Sequence, residues 1–270
     1  MPSNMRTPHA AAPDVFTLPS HLPIDGVGLQ PVNAYLLRGS QPLLIDSGMP
    51  VDRGDFEAAL WSLVEPTELR WIVLTHDDRD HAGNLREILM AAPHATLLTN
   101  GLSIPRLAEQ WEIPRHRVQT INPGRQLDLG NRTVSVLRPP AYDAPSTLAI
   151  YDHTSQSLFS SDCFGTVLPT LVEDAADAAE SDYLAGMRLF TRANAPWTAL
   201  VDEHKFNKVI DEIELLRPAR VLSSHGPTAA GRTDVLLELM RAIPAMAPWL
   251  PDEDFSVEAV LARHELDTAN

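Results

Sequence analysis

The sequence predicts a mixed α/β fold built from short strands that open into polar loops. Two observations carry this prediction. Apolar runs of strand length recur at residues 32–37 (VNAYLL), 43–46 (LLID) and 71–75 (WIVLT), with a helical pattern at 55–64 between the second and third. In addition, a His or Asp stands directly behind an apolar run in three separate places, at Thr75-His76, Ser161-Asp162 and Ser224-His225.

Taken in order, the opening MPSNMRTPHAAAP has no continuous apolar core and predicts a flexible tail over residues 1–13, ahead of one domain from 14 to 270. After the third run, Asn84 is placed to cap a helix over LREILMAA, with a strand at 95–99 and a series of short strands from 117 to 137. Residues 147–151 (TLAIY) and 157–161 (SLFSS) flank the polar turn DHTSQ and predict a β-hairpin. Two helices interrupted near Pro196 follow within 173–216. A strand at ARVLSS then leads to His225-Gly226-Pro227, a helix at 233–243 comes next, and an acidic, helical tail ends the chain.

Composition narrows the class of function. With 270 residues, 44% hydrophobic and 21% charged, the chain has the make-up of a soluble globular protein. No apolar run reaches the length of a membrane span, so a membrane role is not expected. A formal charge of −15 spread along the chain argues against binding a phosphate backbone, which excludes nucleic acid as a partner. The single cysteine, Cys163, allows no internal disulfide and fits a reducing compartment, so a cytoplasmic location is expected. Beside Asp162 on a strand, Cys163 should face the opposite side as a small buried residue. The remaining histidines, among them His153 in the hairpin turn, have no comparable setting.

The densest chemistry lies in VLTHDDRDHAGN, where His76, Asp78, Asp80 and His81 follow the third apolar run and Asp77 and Arg79 read as outward spacers. Loops leaving a common sheet edge can converge on one point, which is what a metal site needs. Imidazole and carboxylate suit zinc, iron or manganese. Asp46, in LLIDSG, is a candidate to orient a metal-bound histidine.

These residues resemble the metallo-β-lactamase superfamily, whose motif is His-x-His-x-Asp-His at the end of a strand. Further matches at NAYLL, LIDSG, SDCFG and SHGP span residues 33–227 in the family's order. The resemblance implies a four-layer αββα sandwich with metals at one edge. Asp78 stands where hydrolases of the superfamily carry a histidine, as a carboxylate does in flavodiiron proteins and similar stand-alone oxygen-binding di-iron proteins. Carried over residue by residue, the resemblance assigns His76, Asp78 and Asp143 to one metal, Asp80, His81 and His225 to the other, and Asp162 as a bridge. At the third position DAPST replaces a His-x-Pro-Gly-Ser type setting, so Asp143 is the candidate, and Tyr142 if the hairpin carries one extra residue.

Charge counting points the same way. Asp78, Asp80, Asp143 and Asp162 can neutralise two divalent cations, giving a weak Lewis acid that stabilises oxidised iron. The expectation is a non-haem di-iron protein that binds or activates O2, with two iron ions, no flavin bound by this chain and electrons from a separate partner; a homodimer is compatible with it. No catalytic residue separate from the metal ligands is expected. The alternative is a dinuclear zinc or manganese hydrolase acting on an ester, thioester, lactone or phosphodiester.

Overall fold

The structure, a computed structural model, describes residues 3–250. Its first sheet has seven strands in sequence order. β1 (His9–Ala12), β2 (Val15–Ile24), β3 (Gly28–Leu37) and β4 (Leu43–Ile45) pair antiparallel. β4 then continues in parallel into β5 (Trp71–Val73), β6 (Thr96–Thr99) and β7 (Val118–Thr120). Parallel neighbours need crossovers, and here helices supply them. These are α1 (Arg53–Trp61), the short α2 (Arg79–Ala82) with α3 (Leu85–Ala91), and α4 (Ser103–Gln110).

The second sheet has six strands in the order β13-β12-β11-β10-β9-β8. It comprises β8 (Gln126–Asp128), β9 (Thr133–Leu137), β10 (Ala149–Asp152), β11 (Ser157–Phe159), β12 (Arg220–Leu222) and β13 (Ala229–Ala230). β11 and β12 are parallel, and the crossover between them carries α5 (Glu180–Asn194) and α6 (Glu203–Leu216). α7 (Thr233–Ala242) follows β13.

Strand parity makes this a four-layer αββα sandwich. Tyr35, Leu37, Leu43, Ile45 and Val73 on the first sheet face Val134, Val136, Ile150, Phe159 and Leu222 on the second, forming the core between the sheets. The alternate positions Leu36, Leu44, Ile72 and Leu97 turn outward against α1 and α3 through Phe56, Leu60, Ile88 and Leu89. On the far side, Tyr151, Leu158 and Val221 pack against α5, α6 and α7 through Met187, Ile210 and Leu236.

Several expectations need correction. His9–Ala12 forms a strand where a flexible tail is expected, and the Ser3 hydroxyl and Asn4 amide donate to Asp52 Oδ1 at 3.0 and 2.8 Å. β2 escapes sequence reading because Pro19 and Pro23 interrupt it. Both lie beyond the short stretch that β1 covers, where a missing N–H removes no ladder bond. α4 escapes for a similar reason, since Pro105 sits in its first turn, where no intrahelical partner is lost. Asn84 occupies the N-cap position of α3, but its side chain donates to the carbonyls of Ser47 and Met49. The acidic end beyond Leu250 lies outside the described residues.

Candidate metal centre

Two pairs of parallel strands deliver the site, one in each sheet. Asp46 follows β4, Thr75 and His76 follow β5, Ser161 and Asp162 follow β11, and Ser224 and His225 follow β12. β4 pairs with β5 and β11 with β12, so the loops leave each sheet side by side at one edge of the sandwich. The loop before β10 adds Asp143, held by the Leu148 amide donating to Thr75 O at 2.9 Å.

Seven side chains meet there, in two groups with Asp162 between them. In the first group, His76 Nε2 lies 3.9 Å from Asp78 Oδ2 and 3.8 Å from Asp143 Oδ1. In the second, Asp80 Oδ2 lies 3.7 Å from His81 Nε2 and 3.4 Å from His225 Nε2. Asp162 turns one oxygen, Oδ1, to all three imidazoles, at 3.8 Å from His76, 3.0 Å from His81 and 3.4 Å from His225. Its other oxygen accepts from Asn194 Nδ2 at the end of α5, at 3.1 Å. The histidines form a buried floor, and the side chain of Asp78, 52% exposed, forms a rim.

The outer nitrogen of each ring is occupied in a way that fixes its tautomer. His81 Nδ1 donates to Asp46 Oδ2 at 2.8 Å, and His225 Nδ1 donates to Pro31 O at 2.8 Å. Behind His76 runs a relay of hydroxyls. His76 Nδ1 lies 3.2 Å from Ser161 Oγ, which donates to Thr75 Oγ1 at 2.9 Å, which donates to Asp46 Oδ2 at 2.8 Å. Every ring thus turns its Nε2 lone pair to the same point. Asp46 and Ser161 hold positive φ, at 60° and 55°, a conformation residues with a side chain adopt only when their surroundings impose it.

Electrostatics match this packing. Burial resists ionisation of Asp162, yet the imidazoles of His76, His225 and His81 outweigh it and hold the carboxyl well below the usual carboxylate range. Burial likewise works against a charge on His81, but Asp80, Asp46 and Asp162 raise its pKa well above the ordinary histidine value. His225 is raised in the same direction, chiefly by Asp162 against the cost of burial. Burial and the neighbouring carboxylate of Asp162 push Asp143 up.

The residues fit a pair of metal ions. His76 Nε2 is buried with no hydrogen-bond partner, and His81 Nε2, equally buried, has the Asp162 carboxylate in front of it at 3.0 Å, so two inward lone pairs meet no donor of the protein and suit a cation. Three imidazoles and four carboxylates around that point form the kind of donor set that iron, manganese or zinc takes.

Asp77 differs from its expected role as an outward spacer. Its carboxylate is engaged by the Arg106 guanidinium and by Ser103 Oγ at 2.7 Å, whereas Arg79 is exposed as expected. Tyr142 packs its ring against Trp197, with centroids 4.9 Å apart, while Asp143 is the residue brought to His76. Cys163 is buried, and burial pushes its thiol up to about 12. His153 sits at the opposite end of β10, where Nε2 lies 2.7 Å from Ser135 Oγ. Nothing in the helical context of Asn194 distinguishes it from a surface residue, so the sequence alone does not point to it.

An αββα sandwich whose strand ends gather histidines and aspartates at one edge is of the metallo-β-lactamase type. More narrowly, a family model described as ODP family beta lactamase matches residues 31–226, and the chain belongs to that family. Among curated relatives, type A flavoprotein fprA of Rhodobacter capsulatus is 29% identical over 239 residues, covering 85% of this chain and 52% of that protein. Diflavin flavoprotein A 1 of a Synechocystis species is 28% identical over 134 residues, covering 49% of this chain and 23% of that protein. The chain therefore spans about a quarter to a half of the length of these relatives. The flavodiiron protein of Giardia intestinalis superposes with a TM-score of 0.75 at 17% identity, over 88% of this chain and 59% of that one. A metal-soaked Flv1 flavodiiron core from a Synechocystis species gives 0.75 at 18% identity, over 91% and 62%. At these identities the structural likeness is one of fold.

Proposed function

We propose that the chain holds two iron ions and acts on O2 as a non-haem di-iron oxidoreductase, with electrons from a separate donor. The observation that carries this reading is the donor set itself. Four aspartates and three histidines converge on one point, so the carboxylate charge can balance two divalent ions and favour their oxidised state. Curated relatives named as flavoproteins support the same class of chemistry.

In this reading His76, Asp78 and Asp143 would hold the first metal and Asp80, His81 and His225 the second, with Asp162 placed to serve both. The iron pair, when bound, supplies the redox couple that binds and reduces O2. The protein's own residues supply order. Asp46, the Ser161–Thr75 relay and Pro31 O take up Nδ1 of His81, His76 and His225 and aim each Nε2 inward, and Asn194 holds the second oxygen of Asp162. The exposed Asp78 marks the side from which a small substrate and reducing equivalents approach. A hydrolase is the less favoured reading, because a carboxylate-rich set leaves little positive charge to acidify water or polarise a carbonyl.

Anaerobic loading with ferrous iron, followed by exposure to O2, tests this. The expected result is O2 uptake in proportion to bound iron, with no uptake by the zinc-loaded protein. Absence of O2 uptake at full iron loading refutes the proposal.

A further inference from the structure

We propose that Asp77 and Arg106 form a positioning clamp that sets the placement of Asp78 and Asp143, and thereby the metal affinity of the first half of the centre. The inference rests on the metal reading above and concerns residues that the reading does not use.

Asp77 directly precedes Asp78, yet its side chain is only 6% exposed. Arg106 on α4 reaches over it, engaging Oδ2 through Nε and Oδ1 through Nη2. The same Nη2 donates to Ser146 Oγ at 3.0 Å, and Ser146 is a fully buried residue in the loop that carries Asp143. Ser146 Oγ also lies 3.4 Å from Asp77 Oδ1, and Ser103 Oγ donates to that oxygen at 2.7 Å. One planar guanidinium therefore ties three segments together: the loop after β5, the start of α4 and the loop before β10.

Two features make this arrangement a device for metal binding as well as packing. Asp78 and Asp143 both lie 3.8–3.9 Å from His76 Nε2, so two like charges must be held close together. Among the described residues, neither forms an ion pair with a lysine or arginine; the guanidinium of Arg106, held on Asp77, is a cation whose charge acts on both. Aspartate is also the shortest carboxylate side chain, and its oxygen can reach a metal only if the backbone beneath it is accurately placed. A bidentate guanidinium fixes direction as well as distance, which an ammonium cannot do.

Arg106→Gln, Asp77→Asn and Arg106→Lys are compared with the native chain and with Asp143→Asn in anaerobic titrations with cobalt(II). Visible absorption and metal per chain are the readouts, and circular dichroism checks the fold. The native chain should take two ions. Arg106→Gln should bind the first-site ion about 10- to 100-fold more weakly, the usual effect of losing a residue that orients a ligand. It should also give the cobalt spectrum of Asp143→Asn, keep the second ion at native affinity, and be partly rescued by Arg106→Lys. Asp77→Asn should match it and serves as the test if Arg106→Gln does not fold. Two ions at native affinity in these variants overturn the clamp alone, as does equal weakening of both ions. A native chain that never holds a second ion overturns the metal reading and the clamp with it.

Discussion

At the scale of single residues, Asp46 is the one on which most of the centre depends. Its carboxylate accepts from the Thr75 amide at 2.8 Å, from Thr75 Oγ1 at 2.8 Å and from His81 Nδ1 at 2.8 Å. An amide of the same shape would turn an N–H toward at least one of these donors, leaving a buried donor unpaired and His81 without its fixed tautomer. Asp46→Asn should weaken metal binding about 10- to 100-fold, as measured by competition with a chelator. Native affinity in that variant contradicts the role given to Asp46. The sequence made Asp46 visible through LLIDSG, and it made His76, Asp80, His81, Asp162 and His225 visible through their places behind strands. Asn194 and the partners of Asp77 were invisible, because each is recruited from a helix or loop distant in sequence.

At the scale of elements, the centre depends on how closely α5 approaches the loop after β11. Gly186 makes this possible, since a Cβ there would lie 2.1 Å from Val167 O and 2.4 Å from Thr166 Oγ1. The first of these is backbone and cannot swing aside. Gly186→Ala should therefore cost about 1–3 kcal/mol, the usual range for forcing atoms into a packed interior. Thermal unfolding should move down by several degrees, and an unchanged midpoint would show that α5 is free to shift. The strands that end in ligand candidates were legible because their apolar runs are short and abruptly polar. β1, β2 and α4 were not, since prolines mask the two longer elements and β1 is four residues of mostly alanine. Pairing with β3 across ten residues, through the short turn Asp25-Gly26-Val27, makes β2 a strand, so the prolines hide a hairpin whose two arms are adjacent in sequence.

At the scale of the whole molecule, two sheets from distant parts of the chain bring the second group of ligand candidates together. His81 comes from the first sheet and His225 from the second, with ring centroids 5.4 Å apart. Metal binding should therefore stabilise the fold by holding its two halves together. It should also depend on pH. In the metal-free site the pKa values of His81 and His225 are raised, so below those values each ring carries a proton that an incoming ion must displace. Affinity should fall as pH is lowered through that range, by up to about tenfold per pH unit for each proton displaced, and should level off above it. Isothermal titration in buffers of several pH values checks this, and pH-independent affinity contradicts it. The most direct test of the centre is elemental analysis of the protein purified without added metal. Two irons per chain are expected, falling to one or none in His81→Ala and Asp162→Asn. Two zinc ions per chain, or iron content that survives these substitutions, would contradict a di-iron centre at this edge of the sandwich.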